Sequence, residues 1–187
     1  VMEHAYLGPS YSNEEILNLI KSYSRSLPEN EFSIKRTDSL EDLTKRTATA
    51  ISEGKVVGWF QGRMEWGPRA LGNRSILGDP RRSDMKEILN IKIKRRESFR
   101  PFAPSILREC VKDWFEDDDE VPFMMKVLQV KVDKRNIIEA VTHVDGSGRL
   151  QTVYQKTNPR YHALISEFYS MTGVPILLNT SFNENEP

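Results

Sequence analysis

The sequence contains a single cysteine, no long apolar run and no excess of charge of either sign. Cys110 is the only cysteine among the 187 residues, so an internal disulfide is excluded and a reducing, cytoplasmic compartment is expected. No apolar run approaches the roughly 18 residues that a membrane-spanning helix needs. The 27 basic residues balance the 27 acidic ones, so no overall field favours a nucleic-acid or membrane partner.

Several familiar catalytic patterns are also missing. The three histidines, His4, His143 and His162, have no ligand spacing to one another or to Cys110, so no metal site is predicted. Neither a GxxxxGK[ST] nor a G-x-G-x-x-G element is present, and no Ser/His/Asp or Cys/His constellation is recognisable. The residues favour electrostatic positioning of phosphates over covalent catalysis.

Helical and strand patterns alternate along the chain. Ser12 to Glu15 reads as a capping box, and Asn158-Pro159 predicts a helix that Gly173 ends. Two further helices are expected from about Ser39 and from Met85. Strands are predicted at 55–60, 75–78, 102–107, 123–132, 150–154 and 175–178.

This order indicates one α/β (α+β) domain over residues 1–187, with a mixed sheet and flanking helices. Because an apolar strand ends only a few residues before Pro187, we expect the chain to be a fragment of a larger protein.

The charge is unevenly distributed along the chain. Residues 63–108 contain nine Arg and three Lys against five acidic residues, a local net charge of +7. Arginine binds phosphate and carboxylate oxygens through two parallel N–H groups, whereas lysine is a point charge. The excess therefore indicates a site for a small, multiply charged anion. A solvated basic surface is the alternative at this stage.

The segment Gly62–Arg74 is rich in both glycine and arginine. Its glycines let the backbone approach a ligand closely. Arg63, Arg69 and Arg74 follow one another at intervals of six and five residues, which is not the spacing of a helical surface stripe. These arginines are candidate anion ligands, and a tight structural loop with exposed arginines is the alternative.

A second segment places cations beside a predicted buried strand. Lys94 and Arg100 are close in sequence to Phe102, where that strand begins. A cation next to a buried run needs an anionic partner. Glu97 could be that partner, and a bound phosphate is the other possibility.

Two shorter segments add candidates. Asn179, Ser181 and Asn183 lie at the carboxyl end of the last predicted strand, where ligands bind in open α/β sheets. Arg149 follows a Gly-Ser-Gly turn and could reach across a cleft, although its chemistry alone favours a solvated hairpin residue.

In order and spacing, four segments resemble the nodulation and antibiotic O-carbamoyltransferases. The resemblance covers nearly the whole chain and implies the carboxy-terminal, YrdC-like domain of that family, a mixed twisted sheet with flanking helices. The segments are 62–77, 94–105, 145–149 and 177–183.

The resemblance also implies a reaction. Such a domain takes carbamoyl phosphate and ATP, with Mg2+ accompanying ATP, and forms carbamoyl adenylate. An amino-terminal ASKHA-like domain of the same protein, which contains a metal site, then transfers the carbamoyl group to a hydroxyl acceptor. The implied catalytic residues are Lys94 and Arg100, and the implied binding residues are Arg69, Arg149, Asn179, Ser181, Arg63, Arg74 and Asn183.

Two other functions remain possible from the sequence. A threonylcarbamoyl-adenylate synthase would have a similar fold, but it should carry a threonine- and bicarbonate-binding loop in place of Gly62–Arg74. A non-catalytic RNA-binding module would use the basic stretch, but the neutral whole-chain charge and the lack of interleaved surface aromatics argue against it.

Overall fold

The computed structural model describes residues 2–24 and 32–183, which form a six-stranded mixed sheet with helices on its faces. The helices are α1 (Asn13–Ser24), α2 (Leu40–Ser52), α3 (Met85–Ile88), α4 (Val111–Trp114) and α5 (Pro159–Thr172). The strands are β1 (Val57–Phe60), β2 (Arg74–Gly78), β3 (Ala103–Leu107), β4 (Lys126–Gln129), β5 (Ser147–Val153) and β6 (Ile176–Ser181).

The strand order is β1-β2-β6-β3-β5-β4, and every neighbouring pair is antiparallel except β3 with β5. Helix α5 packs against α2, β3 and β6, and its Leu164 and Phe168 are fully buried in the core with Leu77 and Ile106. The predicted class, a mixed sheet with flanking helices, is confirmed. No helix in the described ranges is long and apolar enough to cross a membrane.

Helix α1 begins as its sequence predicts. The hydroxyl of Ser12 accepts a hydrogen bond from the backbone N–H of Glu15 (3.2 Å), and the Glu15 carboxylate accepts one from the backbone N–H of Ser12 (2.7 Å). This is the reciprocal capping box. However, the helix buries none of its residues, and Ile16 and Leu19 remain exposed. Local capping therefore defines this helix more than core packing does.

Three element boundaries differ from the prediction. The helix from Met85 widens after Ile88 into a π-helix, Leu89–Lys94, which ends at Arg95 with a positive φ of 49°. The strand predicted over 123–132 is limited to β4, because Met124 takes a φ of 56°. Strand β5 begins at Ser147, so Arg149 lies within a strand of the sheet and not at a hairpin tip.

The amino terminus of α5 is tied to a buried polar network. The side-chain oxygen of Asn158 accepts from the Tyr161 backbone N–H (3.2 Å) and from Gln61 Nε2 (2.8 Å). Its amide nitrogen donates to Asn73 Oδ1 and to the Tyr6 hydroxyl, each at 2.9 Å. Burial raises the pKa of the Tyr6 hydroxyl to about 12, so this group stays neutral at physiological pH. Asn158 thus joins a helix cap to the loop after β1.

We expect Asn158→Ala to cost about 3 kcal/mol of folding stability, because it removes a cap and leaves buried partners unpaired. Ser39→Ala is the matched control, since Ser39 caps α2 at an exposed position and should cost about 1 kcal/mol. Urea unfolding of both variants measures the difference. Equal losses would show that the buried network contributes nothing beyond an ordinary cap.

Candidate functional site

A cavity of about 230 Å³ opens where β3 and β5 begin and β6 ends. Four arginines from three separate segments line it, together with the end of β6. The arginines are Arg69, Arg96, Arg100 and Arg149, and the strand contributes Asn179, Thr180 and Ser181. No acidic side chain of the described ranges belongs to this lining. The arrangement suits a small ligand with several negative charges.

Strand register explains why distant residues meet at this cavity. Asn179 on β6 lies opposite Ala103 on β3, and Ser105 on β3 lies opposite Gln151 on β5. Because side chains alternate between the faces of a sheet, these residues point to one face, and so does Arg149, two positions before Gln151. The strands β6 and β5, on either side of β3, therefore bring Asn179 and Arg149 to the same face of the sheet.

The loop 62–74 is held in place by the carboxylate of Glu65, which is only 6% exposed. One oxygen of Glu65 accepts hydrogen bonds from the backbone N–H groups of Leu71 (2.8 Å), Asn73 (2.7 Å) and Arg74 (3.1 Å). Backbone donors to a charged acceptor make strong hydrogen bonds. This carboxylate fixes the second half of the loop directly after Arg69.

Side chains of the sheet also hold the loop. The amide of Asn179 donates to the carbonyl oxygen of Ala70 (3.0 Å), and that of Gln151 donates to the carbonyl oxygen of Leu71 (2.8 Å). At Gly72, where φ is 100°, an added Cβ would collide with the ring of Tyr161. The loop therefore lies directly on the sheet and needs glycine at this point.

The second arginine segment is organised by the buried side chain of Asn90. Its amide nitrogen donates to the carbonyl oxygens of Ser98 (3.1 Å) and Arg100 (3.0 Å), and its oxygen accepts from Arg96 Nε (2.8 Å). Arg100 also forms a 3.0 Å ion pair with Glu97. Both partners are more than two-fifths exposed, so this pair contributes little to stability. Arg100 therefore both forms an ion pair with Glu97 and lines the cavity.

The structure places Lys94 behind the end of β6 and not among the residues that line the cavity. Its side chain is fully buried, and its ammonium nitrogen lies 2.6–3.1 Å from four oxygens of Ser181 and Asn183, which share its three N–H donors. The side-chain oxygen of Asn183 also accepts from the Ser181 hydroxyl (2.8 Å). Lys94 therefore positions the turn that follows the cavity wall, and its expected direct role in catalysis stays a prediction.

Two predicted ligands, Arg63 and Arg74, lie away from the cavity. Arg74 donates to the backbone oxygens of Gln61 (2.6 Å) and Asn73 (2.8 Å), and its guanidinium lies 3.6 Å from the centre of the Phe60 ring. Arg63 is exposed beside a separate, shallow depression. The structure does not bring these two cations together with Arg69.

Sequence reasoning overlooked Glu65, Arg96, Asn90 and Gln151. Glu65 was recognisable as the one carboxylate inside a loop of glycines and arginines, and Arg96 was one of several adjacent cations. Asn90 had no recognisable signal, although its partners are only 6 to 10 positions away. Gln151 had none because its partners Leu71 and Ser105 are 80 and 46 positions away. Within the described ranges, no cluster of three or more His, Cys, Asp or Glu residues could hold a metal ion.

We expect Glu65→Ala to destabilise the fold by about 3–5 kcal/mol, because three backbone N–H groups would lose a charged acceptor. Glu65→Gln keeps an acceptor oxygen without the charge and should recover part of that loss. Glu14→Ala, at an exposed acidic position on α1, should change stability by less than about 0.5 kcal/mol. Urea unfolding tests the series. An Ala variant as stable as the Glu14 control would disprove the organising role of Glu65.

Comparison with known proteins identifies the family. Residues 48–187 match the family described as Carbamoyltransferase C-terminus. Nodulation protein NolO of Bradyrhizobium diazoefficiens is 48% identical over 96% of this chain and 32% of its own length. An uncharacterized protein of Synechocystis is 46% identical over 97% of this chain and 32% of its own length. The 3'-hydroxymethylcephem-O-carbamoyltransferase of Amycolatopsis lactamdurans is 46% identical over 73% of this chain and 26% of its own length.

The chain therefore spans about a third or less of the length of these relatives. The family expected from the motifs is confirmed. A cavity lined by arginines, the family match and the identities of 46–48% lead to one conclusion: this chain belongs to the carbamoyltransferase C-terminus family.

Proposed function

We propose that this domain binds carbamoyl phosphate and ATP and forms carbamoyl adenylate, which another part of the full-length protein uses to carbamoylate a hydroxyl group. The single observation that carries the proposal is the convergence of four arginines on one small cavity. The name of one relative, an O-carbamoyltransferase, supplies the identity of the transferred group. The threonylcarbamoyl-adenylate and RNA-binding alternatives are outcomes of the tests below.

The charges of the cavity fit the proposed substrates. Carbamoyl phosphate and the phosphates of ATP are multiply charged anions, and arginine can donate to them through two parallel N–H groups. The buried Nε of Arg69 has no hydrogen-bond acceptor in the part of the chain that the structure describes. A buried donor without a partner is costly, so an anionic oxygen of the ligand would satisfy it.

The proposed reaction has two balanced steps. In the first, the oxygen of water bonds to the carbonyl carbon of carbamoyl phosphate and the bond from that carbon to the phosphate oxygen breaks, which gives carbamate, inorganic phosphate and one proton. In the second, a carbamate oxygen attacks the α-phosphorus of ATP. The bond between that phosphorus and the oxygen that bridges to the β-phosphorus breaks, and pyrophosphate leaves. The arginines would bind the charged oxygens of the reacting and leaving groups, which is the principal form of catalysis in phosphoryl chemistry.

No side chain needs to form a covalent bond in this scheme. The hydroxyl of Ser181 donates to Asn183 Oδ1 and accepts from Lys94 Nζ, so its proton is not held by a base. Because the lining formed by the described residues contains cations and an amide but no carboxylate, we propose that Mg2+ would enter together with ATP.

The acceptor hydroxyl and its site are proposed to lie outside this domain. The relatives are about three times as long as this chain, which leaves room for the amino-terminal ASKHA-like domain that the resemblance implies. We propose that the amino-terminal domain receives the carbamoyl adenylate formed in the cavity. We also propose that the whole protein acts in the cytoplasm on small molecules.

We expect carbamoyl phosphate or ATP–Mg2+, at a hundredfold excess over its Kd, to stabilise the chain by about 2.7 kcal/mol. Arg149→Ala should leave the melting temperature of the ligand-free chain nearly unchanged and remove most of the ligand-induced shift. Arg36→Ala is the control, since Arg36 is 76% exposed in a surface ion pair with Asp38. Thermal unfolding with and without ligand measures both shifts. A full ligand-induced shift in the Arg149 variant would exclude this arginine from the site.

The substrate is tested by exchange of labelled pyrophosphate into ATP. We expect exchange with carbamoyl phosphate present and none with threonine plus bicarbonate, because only the first supplies the proposed carbamate. The opposite pattern would favour a threonylcarbamoyl-adenylate synthase. Retention of RNA that falls steeply with salt, without any exchange, would instead favour the RNA-binding alternative.

A further inference from the structure

An open groove of about 920 Å³ separates helix α1 from the end of β1 and from the residue that follows β6. This apolar groove is lined by Ile16 and Leu19 of α1, by Phe60 and Met64, and by Phe182. These five residues are 37–58% exposed. A folded protein rarely leaves a contiguous apolar surface open unless that surface binds something.

The side of the groove opposite α1 is an ordered aromatic cluster. The rings of Phe60 and Phe182 meet edge to face with 6.4 Å between their centres, and the ring of Tyr11 lies 6.2 Å from that of Phe60. The Phe182 ring packs against Gly58, where an added Cβ would lie 2.9 Å from it. The guanidinium of Arg74 covers the Phe60 ring at 3.6 Å. This side of the groove is therefore held in place by the domain itself.

Helix α1 presents an apolar face that the domain does not bury. Ile16, Leu19 and Ile20 recur at the spacing of one helical face, which is typical of a helix that packs against another surface. Nevertheless, none of the residues of α1 is buried. A helix of 12 residues is only marginally stable without such packing, even with a good cap. We therefore expect the apolar face of α1 to be covered by another surface.

The charges around the groove favour a protein segment as its occupant. Among the described residues that line it, Glu15 and Arg74 carry charge, one of each sign. Helix α1 has two acidic residues in its first turn and one basic residue in its last. A helix that lies on a membrane is rich in Lys and Arg on its polar face, and a nucleic-acid contact needs a basic surface. The groove has neither property, so it suits an apolar protein surface.

The place of α1 in the chain indicates which protein that is. Helix α1 precedes residue 48, where the match to the Carbamoyltransferase C-terminus family begins. The alignment with NolO covers 96% of the chain, and so includes α1, but only 32% of NolO. About two-thirds of such a relative therefore lies outside this domain. A surface of the same polypeptide is present at a high effective concentration, which favours it over a separate partner.

We propose that the apolar groove is a docking surface for an apolar segment of the full-length protein outside this domain. Ile16 and Leu19 contact this segment from one side, and Phe60 and Phe182 contact it from the other. The proposal rests on the proposed function only in taking the partner domain to belong to the same polypeptide. Because Phe182 directly follows Ser181, which lines the arginine-lined cavity, the docked segment lies one residue from that cavity.

Hydrogen exchange of the α1 amides in the full-length protein, followed by mass spectrometry, tests the proposal. Leu19→Asp places a charge in the groove and should accelerate this exchange by about tenfold or more, because the apolar face of α1 loses its cover. Asn18→Asp is the matched control, since it adds the same charge at an adjacent exposed position that does not line the groove. It should leave the exchange nearly unchanged. Equal acceleration by both variants would overturn the proposal.

Oxidation of methionine by peroxide tests the unmodified full-length protein, so it does not depend on the folding of a variant. Met64 lines the groove and is 40% exposed in this domain, and Met171 on α5 is 45% exposed. An occupied groove should make Met64 react about tenfold more slowly than Met171. Equal rates would show an open groove and would overturn the proposal.

The same measurements distinguish a second copy of the protein and separate this proposal from the proposed function. Protection of Met64 that appears only as the protein concentration rises would assign the groove to a second copy, which would overturn the proposal. An open groove in a protein that binds carbamoyl phosphate would contradict the docking surface alone. An occupied groove without such binding would support the docking surface and contradict the proposed function.

Discussion

The carboxylate of Glu65, with three backbone N–H groups directed at one of its oxygens, is the interaction on which the cavity depends. It fixes the backbone just after Arg69, and the carbonyl oxygens of that stretch receive the amides of Asn179 and Gln151 from the sheet. The chain therefore places a buried carboxylate inside a loop that carries three arginines. We expect that, without this carboxylate, the loop and its Arg69 would be held on the sheet only by those two amides and would be less precisely positioned. Glu65 matters to function through geometry, because it does not line the cavity itself.

The cations of the basic stretch divide into two groups by what they contact. Arg74 and Lys94 donate to backbone and side-chain oxygens of the protein, and they hold the loop after β1 and the turn after β6. Arg69, Arg96 and Arg100 line the cavity. A local charge of +7 is thus partly a structural feature and partly a feature of the site. Counting charges cannot distinguish the cations that hold loops from those that line the cavity, since both kinds need an oxygen partner.

The sequence predicted the order of helices and strands well, because caps and apolar periodicity are local signals. The sequence also predicted the segments that the fold brings to one cavity, those that contain Arg69, Arg100, Arg149 and Asn179. The sequence could not predict contacts between residues that are far apart in the chain. Lys94 reaches oxygens 87 and 89 positions further along the chain, and no local pattern encodes such a pair. The π-helix Leu89–Lys94 and the positive φ of Met124 likewise had no signal in the local sequence pattern.

A cluster of arginines from three segments of the chain gives the cavity its suitability for an anion. The most direct test of the central claim is a crystal structure of the chain with carbamoyl phosphate. The account predicts ligand density inside the cavity, with phosphate oxygens within hydrogen-bond distance of Arg69 and Arg149. Density at another site, with the cavity holding only water, would contradict it.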